Sequence, residues 1–310
     1  MKERDKSLPL HLKYRPQSFE EFVGAESVVE SLMTVLGREN GEVRTFLFVG
    51  SSGCGKTTSA RIVKSSLNCS DMDFFEYNSA NTRGIDTIRE ITENSKYAPM
   101  KGKVKIYLID ECHKMTNDAQ NALLKLLEDT PKHVRLILCT TDPEKLIKTI
   151  KTRCMIFMFP LLKRSQILKL LKRVCKEEDV DVSDSLLNLI TDYSDGCPRQ
   201  ALVMLDQVID MDEKDATGVL LNTSVEEKTV LDLCQLLLRN SKWESIAKIL
   251  KSLEDDPEKI RLSILKYMEK VLLSKYDQRV VEIMDMFSEP FYTGGKSLLV
   301  KYCAMANGLK

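Results

Sequence analysis

Residues 50 to 57 read Gly-Ser-Ser-Gly-Cys-Gly-Lys-Thr, which satisfies the P-loop pattern G-x-x-x-x-G-K-[ST] at every fixed position. The apolar run Thr45 to Val49 precedes the loop, and a helix-like stretch from Thr57 to about Leu67 follows it. A strand, a glycine loop and a helix in that order commit the region to an α/β layer. The glycines let the backbone close around phosphates, and free N–H groups at a helix N-terminus favour their negative charge. Ser52, Gly53, Cys54, Gly55, Lys56, Thr57 and Thr58 are therefore the candidate residues for holding a nucleoside triphosphate. Lys56 would reach the β- and γ-phosphates, and the Thr57 hydroxyl would meet Mg²⁺.

Four more apolar runs follow: Phe74–Asn78, Val104–Asp110, Val134–Thr141 and Met155–Phe159. Their apolar character is continuous rather than alternating, which predicts a five-stranded parallel sheet buried on both faces by helices. Asp118 to Asp129 is helical in composition, Pro131 closes it, and Pro143 opens the next short helix. After Pro160 the strand signal stops. Residues 163 to about 215 predict three amphipathic helices, broken at Asp181–Asp184 and at Asp195–Pro198. Residues 224 to 310 predict four or five more, with breaks near Asn240, Asp255–Pro257 and Glu289–Pro290. The expected domains are a nucleotide-binding core over 1–160, a small helical domain over 161–222 and an all-α domain over 223–310.

Charge narrows the classes of partner. Lys plus Arg and Asp plus Glu both total 46, so any nucleic-acid contact must come from a local basic face. The nine cysteines are odd in number and contain no C-x-x-C pair, which suggests neither a disulfide framework nor a zinc site. The charged N-terminal heptapeptide has no apolar signal core behind it, and the longest apolar run, Met155 to Leu162, is too short to span a bilayer. A soluble cytoplasmic protein is expected, with a nuclear replication site as the other location considered and no membrane partner.

The remaining chemistry sits at strand ends. Val104 to Glu111 is an apolar run closing on two acids, a Walker B arrangement. Asp110 would hold Mg²⁺ through water, and Glu111 would polarise the attacking water. Asp-Glu-Cys-His also resembles an RNA-helicase box, but no arginine-rich helicase motif or second sheet domain follows, so His113 is as readily structural as functional. Thr141, or Thr140, ends the next strand near the presumed γ-phosphate. Arg153 reads by default as a surface ion pair, and Arg199, opening a helix of the second domain, could reach back to phosphate.

Taken in order, these segments resemble AAA+ ATPases of the sliding-clamp loader group, which includes the bacterial polymerase III tau/gamma subunits and the replication factor C small subunits. The matching pieces include Lys13-Tyr-Arg-Pro16, the P-loop, Asn78 to Asp86, Tyr97-Ala-Pro99, Tyr107 to His113, Asn121 to Glu128, Thr140 to Pro143, Thr152-Arg-Cys154 and Gly196 to Leu202. The likeness is close from residue 12 to about 205 and weak beyond. It implies an AAA+ core, a helical lid and a helical C-terminal collar. It makes Arg153 an arginine finger for a neighbouring subunit, Arg199 the sensor 2 residue and Thr141 the sensor 1 residue. Tyr14, Arg15 and Pro16 fall where the family packs chain around adenine and ribose. Arg83, Arg89 and Lys96 become candidate DNA phosphate contacts, against the plainer reading of a solvated helix face. Clamp contact would come from apolar side chains near Leu67 to Asp73 and Met115 to Leu124. The four-cysteine zinc module of tau/gamma is missing, because Leu67-Asn-Cys69 runs almost directly into Phe74. The polymerase-binding extension of tau is also expected to be absent, which fits a compact, viral or phage-like loader subunit.

What the resemblance implies is an ATPase subunit that uses ATP and Mg²⁺ to open a sliding clamp and load it on primer–template DNA. Its partners would be the clamp, the DNA and other loader subunits in a five-membered assembly. The competing readings are another AAA+ DNA machine, such as a branch-migration motor or helicase loader, and a non-hydrolysing structural subunit. A small-molecule kinase fits least, since residues 160 to 310 offer no substrate lid.

Overall fold

The computed structural model describes residues 8–38, 43–239, 241–253, 256–291 and 295–308. The N-terminal heptapeptide and the expected breaks at Asn240 and Asp255 lie outside the described residues. The chain divides into two compact units, Met1–Glu213 and Lys214–Lys310.

The first unit is built on five strands: β1 (Thr45–Gly50), β2 (Phe74–Asn78), β3 (Lys105–Asp110), β4 (Val134–Thr140) and β5 (Met155–Phe159). Their order is β2-β3-β4-β1-β5, and every neighbouring pair is parallel. Every residue of β4 is buried, as are the inner four of β1, which accounts for their unbroken apolar sequence. Edge strand β5 alternates instead, with Phe157 and Phe159 buried and Ile156 and Met158 exposed. Phe48 packs edge-on against both of those phenylalanines, with ring centroids 5.8 and 5.3 Å away. Each such buried ring contributes about 1.5–3 kcal/mol by leaving water.

Helices cover both faces. On one side lie α2 (Glu26–Leu36) and α3 (Lys56–Ser66), which seat Leu32, Val35, Ile62 and Val63 in the core. On the other lie α4 (Ile85–Asn94), α5 (Asn117–Glu128) and α6 (Lys148–Arg153), which bury Ile88, Ile91, Leu123, Leu126 and Ile150. Thr116 caps α5 by accepting from the Ala119 N–H at 3.2 Å. Pro143 does open the next turn, but that turn is a 3-10 helix over Pro143–Lys145.

Three helices complete this unit: α7 (Arg164–Glu177), α8 (Asp184–Tyr193) and α9 (Pro198–Val208). A short N-terminal helix, α1 (Leu10–Lys13), packs on α9, and the Leu10 N–H donates to Asp206 Oδ2 at 3.2 Å. Just past α7, the Glu178 carboxylate accepts from the Tyr14 hydroxyl at 2.6 Å and meets Lys13 Nζ at 2.7 Å. The side chain of Glu178 is only 2% exposed, so this pairing fastens the N-terminal segment to the end of α7.

The second unit is helical throughout its described residues: α10 (Glu213–Leu238), α11 (Trp243–Ser252), α12 (Pro257–Ser274), α13 (Gln278–Met286) and α14 (Gly295–Asn307). Leu233, Leu237, Ile246, Ile264, Ile283, Phe287 and Leu299 form its core. Helix α10 runs unbroken through residues 222 and 223, where a domain boundary was expected, and the compact units part at 213/214. Gly218 is the one glycine in α10, which holds no proline, and its cost of about 1 kcal/mol does not stop a helix of that length. Among the described residues, no helix is long and apolar enough to cross a membrane.

Candidate nucleotide-binding site

The sheet order sets the central strands β3, β4 and β1 side by side, so their carboxyl ends open on one place. The register pairs Val49 with Thr140 and Ile109 with Leu138. The P-loop, the acidic pair and the threonine pair thus emerge together, at the strand ends where open α/β sheets bind ligands.

Two glycines of the loop are required by geometry. Gly53 has φ +74°, and a β-carbon there would lie 2.6 Å from Cys197 Sγ. Gly55 has φ +106°, and a β-carbon there would lie 2.5 Å from the Phe22 ring. The left-handed backbone and the close approach both exclude a side chain. Lys56, 5% exposed, donates to the Gly50 and Ser51 carbonyls at 2.7 and 2.8 Å, which arches the loop around its ammonium. Cys54 is buried in the loop, and burial raises its thiol pKa above the ordinary value.

The Thr57 hydroxyl donates to Asp110 Oδ2 at 2.8 Å, and Asp110 Oδ1 accepts from the Glu111 N–H at 2.9 Å. A hydroxyl and a carboxylate at that separation are the hard oxygen donors that suit Mg²⁺. Glu111, just past the tip of β3, has φ +52°. Its Oε2 lies 3.5 Å from Thr141 Oγ1 and 3.4 Å from His113 Nε2. The two threonines are thereby distinguished: Thr141 faces Glu111, whereas Thr140 is fully buried and contacts His113 Nδ1 at 3.1 Å.

A cavity of about 270 Å³ opens beside the loop. Tyr14, Arg15, Pro16, the loop from Ser52 to Thr58, Asp110, Glu111 and Arg199 all line it. Its apolar wall comes from Phe22, Val23, Leu162, Leu170 and Leu202. Arg15 Nε donates to Thr58 Oγ1 at 3.1 Å; burial, and then repulsion from Arg61 and Arg199, lower its guanidinium pKa from the ordinary value. Lys56, Arg15 and Arg199 thus bring positive charge to one cavity, the electrostatics a polyphosphate requires. Sequence reading missed the apolar wall and Arg173, which also lines the cavity. Leu170, Arg173 and Leu202 sit on α7 and α9 in ordinary amphipathic patterns, so no local motif marks them.

The other predicted residues lie elsewhere. Arg153, the last residue of α6, is not among the cavity residues; it pairs with Glu128 at the end of α5 and donates to the Thr149 carbonyl at 3.2 Å. Arg83 is exposed just before α4, which begins at Ile85, and donates to the Ala80 carbonyl. Arg89 pairs with Asp86 and Lys96 with Glu93, each three residues away on or just past α4.

The fold is an AAA+ fold, and the site is a P-loop nucleotide site. Residues 52–163 match the family described as DNA polymerase III, delta subunit. The chain resembles the clamp-loader AAA+ subunits of the DNA polymerase III gamma/tau type. It is 37% identical over 227 residues to DNA polymerase III subunit gamma/tau of Mycobacterium bovis, covering 65% of this chain and 39% of that protein. It is 36% identical over 219 residues to DNA polymerase III subunit gamma of Buchnera aphidicola subsp. Schizaphis graminum, covering 64% of this chain and 60% of that one. The chain therefore spans less than two thirds of either relative. Among solved structures, a DNA polymerase III gamma subunit-related protein of Thermotoga maritima shares 20% identity and a TM-score of 0.53, over 90% of this chain and 98% of that one. The Thermotoga maritima RuvB Holliday junction branch migration motor reaches a TM-score of 0.57 at 22% identity, over 72% of this chain and 80% of that one. Likenesses at that identity establish the fold.

Proposed function

We propose that the chain is an ATP-hydrolysing subunit of a sliding-clamp loader, acting on a ring-shaped clamp and primer–template DNA within an assembly of similar subunits. The observation that carries this reading is a division of labour. Lys56, Thr57, Asp110, Glu111 and Arg199 surround the chain's own cavity, while Arg153 stands outside it, held by Glu128. A site completed by a neighbour's arginine would hydrolyse ATP only in the assembled loader. The resemblance to gamma/tau supports the choice of clamp loading over other AAA+ work.

In this reading the P-loop amides and Lys56 cradle the β- and γ-phosphates, while Arg15 and Arg199 add charge from the two flanks. Thr57 and Asp110 would hold Mg²⁺, which neutralises charge on the phosphate oxygens when bound. Glu111 accepts the proton of the attacking water, and Thr141 hydrogen-bonds that water or the γ-phosphate. Arg199 opens α9 and so couples phosphate contact to the position of the helical segment. Arg153 meets the γ-phosphate of the adjacent subunit, a contribution worth about 10³- to 10⁵-fold where such arginines act in trans in GTPases. Arg83, Arg89 and Lys96 would exchange their local partners for DNA phosphates, and apolar residues near Met72 and Met115 would meet the clamp.

The test is steady-state ATP hydrolysis of the chain with its partner subunits, with and without primed DNA and the cognate clamp, alongside Glu111→Gln. Joint stimulation by DNA and clamp, lost in Glu111→Gln, is expected. The likeness to the RuvB motor fold motivates the second reading. Hydrolysis driven by DNA and indifferent to the clamp would favour it and sink the clamp-loader assignment.

A further inference from the structure

We propose that His113 is a positioning residue for Glu111, holding the carboxylate that serves as the base through a chain of polar contacts anchored on Thr140. This rests on Glu111 acting as proposed above.

Three contacts define the chain. The Asp142 N–H donates to Thr140 Oγ1 at 3.0 Å. Thr140 Oγ1 lies 3.1 Å from His113 Nδ1. On the other side of the ring, His113 Nε2 lies 3.4 Å from Glu111 Oε2. A carboxylate only accepts, so the tautomer with the proton on Nε2 is the one that suits this contact. In that tautomer Nδ1 is an acceptor and takes a donor. The Thr140 hydroxyl supplies one, because its oxygen already takes the backbone N–H of Asp142 and its own proton is free to turn to the ring. With that tautomer the Thr140 hydroxyl faces an acceptor and the ring N–H faces the Glu111 carboxylate, 3.4 Å away.

The setting makes the arrangement rigid where rigidity counts. Thr140 is fully buried and the His113 side chain is 9% exposed, whereas the Glu111 side chain is 26% exposed at the cavity. Glu111 also departs from the strand with a left-handed backbone, so its direction is not inherited from the pleat of β3. A carboxylate that is part exposed and off the end of a strand has several rotamers open to it. The ring of His113, packed behind it, selects the one that faces Thr141. The 3.4 and 3.5 Å separations are those of a loosely held base, of the kind that tightens when substrate arrives.

The experiment compares the full chain, in its assembled state, as parent, His113→Ala, His113→Gln and Glu111→Gln. Turnover, KM for ATP and the Kd of a fluorescent ATP analogue are measured for each. His113→Ala is expected to lower kcat about tenfold, with KM and Kd within about twofold of the parent. His113→Gln, whose side-chain amide can donate from nearly the same position, should recover most of the lost rate. A merely structural histidine would not divide kcat from Kd in this way, nor be rescued by glutamine. A kcat in His113→Ala equal to or above the parent, or a glutamine variant as slow as the alanine one, overturns the proposal. Parent-like turnover in Glu111→Gln overturns the reading of Glu111 itself, and so separates the two failures. Should the alanine variant not fold, Thr140→Val breaks the same chain one link earlier, and an unchanged kcat there overturns the proposal too. A crystal structure of His113→Ala supplies a readout independent of turnover. The Glu111 carboxylate should have left Thr141 Oγ1, and an unmoved carboxylate means that His113 does not position it.

Discussion

In the first unit, polar residues are buried or half-buried where three strand tips meet a glycine loop, and several are held by named partners. Lys56 bonds two loop carbonyls and Thr57 bonds Asp110, while away from the strand tips Glu178 bonds Tyr14. In the second unit the core is almost wholly apolar, and one polar cluster stands out. Arg261, 4% exposed, donates to both oxygens of Glu258 and to the Phe287 carbonyl at the end of α13. The first unit gathers much of its polar burial at a site, whereas the second uses arginines to join helices: the buried Arg261, and the half-buried Arg279, which donates to the Leu237 and Ala306 carbonyls. The contrast teaches where function is concentrated: substitutions in the first unit should change chemistry, and those in the second should change stability.

The largest expected break in that pattern is Arg153→Ala. It lies in the first unit yet outside the cavity, so it should leave nucleotide affinity of the isolated chain unchanged. In the assembled loader it should lower DNA- and clamp-stimulated turnover about 10³-fold or more. Rapid-quench ATP hydrolysis, with and without partner subunits, separates the two effects. Unchanged turnover in the assembly would remove Arg153 from the neighbour's site and leave it a surface ion pair with Glu128.

Ile264→Ala probes the other side. Ile264 is fully buried in α12, and its truncation should cost about 2–5 kcal/mol. The thermal transition of the second unit should fall by more than about 10 °C, while the fluorescent-nucleotide Kd stays constant. Calorimetry beside a nucleotide titration reads both. A parallel loss of affinity would show that the units share stability and that the contrast drawn above is too sharp.

Much of the first unit was legible in the sequence because burial on both faces writes a continuous apolar code. Phe74–Asn78 and Met155–Phe159 match their strands, and the other three differ by a residue at one end. The site's skeleton was legible for a related reason, since phosphate chemistry demands glycines and a lysine at fixed spacing. What stayed hidden depends on tertiary approach. Nothing local marks Leu170, Arg173 or Leu202 as cavity residues, because an amphipathic helix shows which face is buried and not against what. His113 reads from the sequence as structural or functional alike, and the contacts of its two ring nitrogens with Thr140 and Glu111 depend on tertiary approach. Asp73 is another case: fully buried, it accepts from the Met100 and Lys101 N–H groups at 2.6 and 2.8 Å, a contact across 27 and 28 residues that no motif announces. In the second unit the helices were legible, but the start of α10 was not, because no breaker separates residues 213 to 238.

Gly53→Ala sharpens the comparison at a smaller scale. A β-carbon would meet Cys197 Sγ at 2.6 Å and Arg199 Cβ at 3.0 Å, so α9 must retreat or the loop must twist. The left-handed backbone adds about 1 kcal/mol of strain. Nucleotide affinity should weaken about tenfold, with the thermal transition of the second unit unmoved. An affinity equal to the parent's would mean that the contact between the loop and the start of α9 plays no part in binding.

The smallest expected effect is a pH dependence confined to the second unit. Glu258 accepts from Arg261 Nε and Nη2 at 2.9 and 2.6 Å and from the Phe291 N–H at 2.8 Å. Arg261 chiefly, and then that N–H, hold its carboxyl below the ordinary glutamate value of 4.5. Because the folded pKa is the lower one, the folded state favours the ionised form. The resulting stabilisation is present above the unfolded value and is lost as pH falls through the folded one. The transition temperature of the second unit should therefore drop as pH is lowered below 4.5, and Glu258→Gln should flatten that drop while lowering the neutral-pH value slightly. Arg261→Met should flatten it as well, and should also cost several degrees at neutral pH because the α13 carbonyls lose their buried donor. Melting curves recorded between pH 7 and about pH 3 give the comparison. A parent and a Glu258→Gln variant that fall in parallel would show the acid sensitivity to lie elsewhere.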